Sequence, residues 1–141
     1  MNIYEQDLAK NSANFVALTP VDFIVRAAEV FPNRTAVIHG PIRRTWMQTY
    51  QRSMQLAHAL RALGVQKGDT VTAMLSNIPE MIESHFGVPA IGAVLNTLNT
   101  RLDAGSLTYM LNHAQSKVVL IDREFSKVMQ EAIARADVQP I

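Results

Sequence analysis

The fold is decided by residues 64–97, which read GVQKGDTVTAMLSNIPEMIESHFGVPAIGAVLNT. A turn over residues 64–69 precedes a short apolar run over 71–75, which is typical of a buried strand. Asn77 marks the start of a helix, and Pro89 is expected to kink that helix because proline has no N–H to donate. Residues 93–95 form a second apolar run. This order predicts parallel strands joined by helical crossovers.

The same alternation continues on both sides of this unit. The further predicted elements are a helix from Thr19 and Pro20 to about Pro32, a hairpin of residues 35–39 and 42–46 around a Gly40-Pro41 turn, a helix from Thr45 to Gly64, a helix capped by Asp103 and ending near His113, a strand over 118–121, and a helix from about Glu124 to Ala136. The chain is therefore predicted to be α/β, with a short parallel sheet, flanking helices and a small β-hairpin.

Two helices have apolar residues at helical spacing, which predicts their buried faces. In the first helix these residues are Phe23, Ala27, Val30 and Phe31. In the helix after residues 71–75 they are Met81, Ile82, His85 and Phe86. A lone histidine on such a face is typical of a hydrogen-bonded core residue, so His85 is expected to be buried.

Composition and charge exclude several classes of function. The 141 residues contain 13 lysines and arginines, 12 aspartates and glutamates and no cysteine, with a net charge of +1, so neither a disulfide scaffold nor a nucleic-acid partner is expected. The longest run without a polar side chain, residues 86–95, is well short of the roughly 18 residues needed to span a bilayer. Residues 1–7 lack the pattern of a signal peptide, and the cytoplasm is the expected location.

Common catalytic motifs do not occur in the chain. Gly87 and Gly92 have the spacing of a phosphate loop, but Ala93 and Val94 stand where lysine and a hydroxyl residue are required, so close packing is the preferred explanation for these glycines. The four histidines have no spacing typical of metal ligands, and no serine lies in a Gly-x-Ser-x-Gly elbow. The sequence therefore predicts no metal site and no serine-hydrolase site.

Residues 96–102, which read NTLNTRL, carry amide and hydroxyl groups directly after a predicted strand. Ligands bind α/β folds at the carboxyl ends of parallel strands, and Arg101 there has a planar charged group suited to a phosphate or carboxylate. In the alternative interpretation these side chains only complete turns, and Arg101 pairs with Asp103 or a helix end. The residues alone leave both interpretations open.

Several motifs together resemble the amino-terminal part of the AMP-forming acyl-CoA synthetases, which belong to the adenylate-forming superfamily. They are Thr45-Trp46 at a helix start, 63–65 with 67–71, 77–81, 85–89, and 92–102. The resemblance extends from about Leu18 to Ser126 and is greatest to ligases of medium-chain, aromatic and methylthio acids. It implies a Rossmann-like layer from the first subdomain of the large amino-terminal domain, with an amino-terminal extension over residues 1–18 and the subdomain over 19–141.

The resemblance also implies a reaction, in which a carboxylic acid, ATP and coenzyme A give an acyl-CoA, AMP and pyrophosphate through an acyl-adenylate. ATP, Mg²⁺ and coenzyme A are the implied cofactors of the whole enzyme. The family's phosphate loop, ribose-binding acid and catalytic lysine do not match any part of these residues, so no catalytic or metal-binding residue is carried over. We therefore expect these residues alone to be inactive and to bind none of these cofactors tightly.

One residue and two partners are implied as well. Arg101 aligns with an arginine that contacts the coenzyme A phosphates in related ligases. The implied partners are a small carboxylic acid and the rest of the same polypeptide, and a homodimer is a further expectation. Two alternatives stay open: an adenylation domain that acts on a carrier protein, and a non-catalytic α/β module that binds a ligand or partner.

Overall fold

A computed structural model describes residue 6 and residues 9–141 of the chain. Residues 1–5, 7 and 8 lie outside the described residues. The prediction that residues 1–7 are not a signal peptide, and part of the predicted extension over 1–18, fall on them. The elements in chain order are α1 (Pro20–Val30), β1 (Thr35–His39), β2 (Ile42–Thr45), α2 (Trp46–Ala62), β3 (Thr70–Met74), α3 (Pro79–Gly87), β4 (Val94–Thr97), α4 (Ala104–Ala114), β5 (Ser116–Ile121) and α5 (Ser126–Arg135). Short 3-10 turns cover Pro89–Ile91 and Arg123–Phe125.

The strands form a hairpin and a separate parallel sheet. β1 and β2 pair antiparallel, with Gly40 at a φ of +51° in the turn between them. The second sheet has the order β4-β3-β5 and is parallel throughout, so that Val71 lies opposite both Leu95 and Val118. The predicted α/β class, the parallel sheet and the hairpin are confirmed. β4 extends to Thr97, so Asn96 and Thr97 belong to the strand and not to the loop after it.

Apolar residues fill both faces of the parallel sheet. On one face, Val71 and Val118 pack with Ala57 and Leu60 of α2. On the other, a second cluster joins the sheet to α4 and α5, and its members Leu107 and Leu111 are fully buried. Strands covered on both faces read as continuous apolar runs, which is why residues 71–75 could be recognised from the sequence.

The glycines that resemble a phosphate loop serve packing and a turn. α2 and α3 approach each other so closely at Gly87 that a Cβ on this residue would lie only 2.7 Å from the carbonyl oxygen of Ser53. Gly92 has a φ of +76°, a left-handed conformation that favours glycine. The explanation of Gly87 by close packing is therefore confirmed, whereas Gly92 is required chiefly by its turn.

The predicted buried face of α1 is wrong. Phe23 is 59% exposed, and Val30 and Phe31 are also exposed, whereas Ile24 and Ala28 are buried. Three of the eleven residues of this helix, Asp22, Arg26 and Glu29, are charged and share one stripe, and the buried residues lie on the opposite side. Apolar residues also border the charged stripe, as at Phe23 and Val30, and the predicted face included them.

The predicted buried face of α3 is also wrong. Its buried residues include Glu83 and Ser84, while Ile82 and His85 are exposed. The carboxylate of Glu83 accepts hydrogen bonds from two arginines of other elements, and these contacts make the burial of a charged residue tolerable. The helix also ends at Gly87 instead of continuing as a kinked helix, because Pro89 opens a separate 3-10 turn.

Candidate functional site

A cleft of about 470 Å³ opens at the carboxyl ends of β3 and β4. Parallel pairing places Ala73 opposite Thr97, so the segments that follow the two strands leave the sheet at the same edge. The lining residues are Leu75, Ser76, Asn77, Met81, His85, Thr97, Leu98, Asn99 and Thr100. Six of these nine side chains are polar, and none is an aspartate, glutamate, lysine or arginine.

Backbone hydrogen bonds fix both walls of the cleft. The N–H of Leu98 donates to the carbonyl of Ala73 at 2.9 Å, which continues the β3–β4 pairing past the end of β4. Leu98 is only 6% exposed and anchors the start of the loop. The Oδ1 atom of Asn99 accepts from the N–H of Arg101 at 2.9 Å and closes the turn. The alternative interpretation, in which side chains of residues 96–102 complete turns, therefore holds for Asn99.

Arg101 lies beyond the rim of the cleft and is exposed. Within residues 9–141 its guanidinium makes no hydrogen bond or ion pair, and Asp103 does not pair with it. Asp103 caps α4 instead, with its Oδ1 atom accepting from the N–H of Ser106 at 2.8 Å, and this hydrogen bond holds the pKa of Asp103 below its ordinary value. The structure thus places a positively charged fork next to the cleft. That Arg101 binds a phosphate stays a prediction.

His85 lines the cleft and is not a core residue, contrary to the prediction. Its Nδ1 atom lies 2.8 Å from the carbonyl oxygen of Met81, one turn earlier in α3. A carbonyl oxygen only accepts, so the contact requires a proton on Nδ1. The other ring nitrogen, Nε2, is therefore the one that is not engaged by the helix.

Sequence reasoning missed an ion-pair network beside the cleft. Glu83 of α3 receives hydrogen bonds from Arg44 of β2 and from the Nε atom of Arg52 in α2, the latter at 2.6 Å. Arg44 and Arg52 also reach Glu80, at 3.2 and 3.4 Å. The hydrogen bond to Glu83 raises the pKa of Arg52. Burial opposes ionisation of Glu80, but the backbone and Arg44 outweigh it, so the pKa of Glu80 lies below its ordinary value.

This network joins β2 and α2, which follow each other in the chain, to α3, which is distant from both in sequence. It fixes the hairpin and α2 against α3, whose opposite side presents Met81 and His85 to the cleft. The sequence holds one local hint, a glutamate at position 83 among residues predicted to be buried. Its partners lie more than thirty positions away in the chain, so local periodicity does not identify them.

The described residues contain no group of three or more histidine, cysteine, aspartate or glutamate side chains that could hold a metal ion. They also contain no helix that is both long enough and apolar enough to cross a membrane. The donor set around the cleft, which consists of hydroxyls, amides and one imidazole, does not fit Mg²⁺, since this ion prefers carboxylates and phosphate oxygens.

Comparison with known proteins identifies the family. A family model described as AMP-binding enzyme matches residues 24–140. The chain belongs to the AMP-binding enzyme family. The peroxisomal benzoate–CoA ligase of Arabidopsis thaliana is 48% identical over 127 residues, which cover 90% of this chain and 22% of the relative. Acetate–CoA ligase CCL3 of Humulus lupulus is 46% identical over the same share of each chain.

Solved structures of the AMP-binding family agree with the fold. The fatty acyl CoA synthetase of Mycobacterium tuberculosis superposes with a TM-score of 0.78 at 30% identity, covering 84% of this chain and 24% of that one. The expected resemblance to acyl-CoA synthetases is confirmed. This member of the AMP-binding family spans about 22% of the length of the curated relatives named above.

Proposed function

We propose that this chain forms the amino-terminal part of an ATP-dependent acyl-CoA synthetase, which converts a carboxylic acid, ATP and coenzyme A into an acyl-CoA, AMP and pyrophosphate. The observation that carries the proposal is the polar cleft at the ends of β3 and β4, with the exposed Arg101 beside it, in a chain of the AMP-binding family. Relatives named as benzoate–CoA and acetate–CoA ligases support the same class of reaction.

The proposed reaction has two steps. In the first, a carboxylate oxygen of the acid attacks the α-phosphorus of ATP, the bond to the β-phosphate oxygen breaks, and pyrophosphate leaves. In the second, the sulfur of coenzyme A attacks the acyl carbonyl, the bond to the phosphate oxygen breaks, AMP leaves, and the thiol proton passes to solvent. Both steps depend on positioning groups that carry phosphate charge.

In this reaction the residues of this chain bind a substrate, coenzyme A, and do not take part in bond making or breaking. Arg101 presents five N–H donors in a fixed plane, which suits the phosphates of coenzyme A. No residue here acts as acid, base or nucleophile in the proposal. The residues described also do not fit a magnesium ion, so the Mg²⁺ that accompanies ATP is assigned to other parts of the enzyme.

We propose that residues 19–141 form one subdomain and residues 1–18 an extension, and that the subdomain packs against the rest of the same polypeptide. Several apolar side chains of α1 and of the residues next to it are exposed. They support such packing, because monomeric proteins rarely expose large contiguous apolar patches. The exposed side chains include Leu18 at 75% and Phe23 at 59% exposure. A homodimer through the same surface is a further prediction, which sedimentation would test.

The proposed location is the cytoplasm. The Arabidopsis relative is named as peroxisomal, so the peroxisome is the alternative location. Cell fractionation with an antibody against the chain would distinguish the two.

A product assay tests the proposed reaction. A full-length enzyme that carries this chain is incubated with a panel of short-chain, medium-chain and aromatic acids, and AMP and acyl-CoA are quantified. We expect both products in equal amounts, and only when the acid, ATP and coenzyme A are all present. Pyrophosphate exchange and the acylation of an added carrier protein are measured in parallel. Exchange and carrier acylation without acyl-CoA would favour a carrier-dependent adenylation domain. No exchange with any acid would favour the non-catalytic binding module.

A further inference from the structure

α3 forms one wall of the cleft, and its position depends on contacts with the elements behind it. The helix has only nine residues, and its N-cap, Ile78, makes no side-chain cap hydrogen bond. Helices this short are marginal by themselves, so tertiary contacts determine how α3 is oriented. The residues that α3 contributes to the cleft lining are Met81 and His85, one turn apart on the same side of the helix. A rotation of α3 therefore changes the shape of the cleft.

The polar contacts that hold α3 from behind converge on one carboxylate. Among the described residues, the side-chain hydrogen bonds that join α3 to other elements are those of two glutamates with two arginines, namely Glu80 and Glu83 with Arg44 and Arg52. The Oε1 atom of Glu83 accepts from both arginines, and this side chain is 6% exposed. Ser84 is also buried, but its hydroxyl donates to the carbonyl of Glu80 within the helix. Glu83 is therefore the main polar anchor of α3.

Glu83 lies on the side of α3 opposite the cleft. Two positions along an α-helix correspond to about 200°, so Met81 and His85 both point away from Glu83. Glu80 lies three positions before Glu83 and about 60° around the helix from it. It is 43% exposed and contacts the same two arginines at 3.2 and 3.4 Å. If Glu83 loses its charge, Glu80 is left as the carboxylate that these arginines contact, and we expect α3 to turn accordingly.

We propose that Glu83 is a positioning residue for the cleft, which fixes the direction in which α3 presents Met81 and His85. The inference rests on the proposed function, in which residues beside this cleft bind coenzyme A. Glu83 is not among the lining residues, so it acts through the helix. A buried carboxylate with two arginine partners favours one orientation of α3 over others. The arginines belong to β2 and α2, so the hairpin contributes to the shape of the cleft.

Steady-state kinetics of a full-length enzyme test the proposal. Glu83→Gln keeps the size of the side chain, and we expect it to raise the KM for coenzyme A roughly three- to tenfold, the equivalent of about one lost hydrogen bond. Pyrophosphate exchange, which needs no thiol, is expected to keep its rate per folded enzyme. Glu83→Asp, which keeps the charge, is expected to recover part of the loss. Arg52→Gln removes a partner that is 41% exposed, so we expect a smaller rise in the same direction.

A merely structural role of Glu83 predicts a different pattern. Fewer folded molecules lower the rates of pyrophosphate exchange and of acyl-CoA formation by the same factor and leave the KM for coenzyme A unchanged. Val118→Ala is the control for lost stability, because it opens a cavity in the cluster between the sheet and α2 and does not alter the lining of the cleft. We expect no change of KM in this control.

The outcomes separate this inference from the proposed function. An unchanged KM for coenzyme A in both Glu83→Gln and Arg52→Gln would overturn the inference, and so would an equal rise of the KM in Val118→Ala. In either case, acyl-CoA formation by the wild type would leave the proposed function standing. A wild-type enzyme that forms no acyl-CoA with any acid would refute the proposed function and the inference with it.

Discussion

The buried carboxylate of Glu83 provides a quantitative test of how the fold is held together. The Oε1 atom accepts from Arg44 and Arg52, whose side chains are 15% and 41% exposed, while the side chain of Glu83 is 6% exposed. Glu83→Gln keeps the size and one acceptor but removes the charge. A hydrogen bond to a charged group contributes about 1 kcal/mol more than a neutral one, and the half-exposed Arg52 bond is discounted for solvent screening. We therefore expect a loss of roughly 1–2 kcal/mol.

Urea unfolding of the chain, followed by circular dichroism at neutral pH, measures this loss directly. The matched control is Glu131→Gln, which removes a glutamate paired with Arg135 on the surface of α5, where both side chains are more than half exposed. Exposed pairs of this kind contribute about 0.5 kcal/mol or less. Equal losses in Glu83→Gln and Glu131→Gln would contradict this prediction, because burial would then make no difference to the contribution of the charge.

Two further predictions concern packing and acid stability. Gly87→Ala is expected to lower the unfolding free energy by roughly 1–3 kcal/mol, because the new Cβ would lie 2.7 Å from the Ser53 carbonyl. In the same urea experiment Gly105→Ala on the exposed side of α4 is expected to change it by less than about 1 kcal/mol, because its Cβ would lie 3.2 Å from a side-chain oxygen of Asp103, which can shift, and alanine favours the helix. Hydrogen bonds hold the pKa of Asp103 below its unfolded value, so the stability that this carboxylate contributes is present above about pH 4 and is lost as the pH falls through the folded pKa. Asp103→Asn keeps the helix cap but does not titrate, so its unfolding free energy should fall less steeply below pH 4, and a curve parallel to that of the wild type would contradict this.

The parts of the fold that depend on local sequence could be predicted. The predicted helix start at Thr45 depends on two residues three positions apart, since the N–H of Thr45 and of Gln48 each donates to the side chain of the other. The strands of the parallel sheet were also located to within about two residues, since buried strands read as apolar runs.

The parts that depend on distant partners could not be predicted. His85, which was expected to be buried, is exposed, and Glu83 is buried because Arg44 and Arg52 from other elements neutralise it. In α1, by contrast, the charged residues Asp22, Arg26 and Glu29 lie opposite the buried side, so the buried stripe could be located from the local sequence. In the site, the position of Arg101 after β4 was predictable from its motif, whereas the cleft itself required the register of β3 with β4.

We propose that Arg101, next to the carboxyl edge of the parallel sheet, contacts the phosphates of coenzyme A. The most direct measurement is the KM for coenzyme A in a full-length enzyme that carries Arg101→Ala, beside its rate of pyrophosphate exchange. We expect the KM to rise about tenfold or more, as for the loss of a hydrogen bond to a charged group, with pyrophosphate exchange unchanged. Arg61→Ala, which removes an exposed arginine of α2, is the control. An unchanged KM for coenzyme A in Arg101→Ala would show that Arg101 does not contact the coenzyme A phosphates.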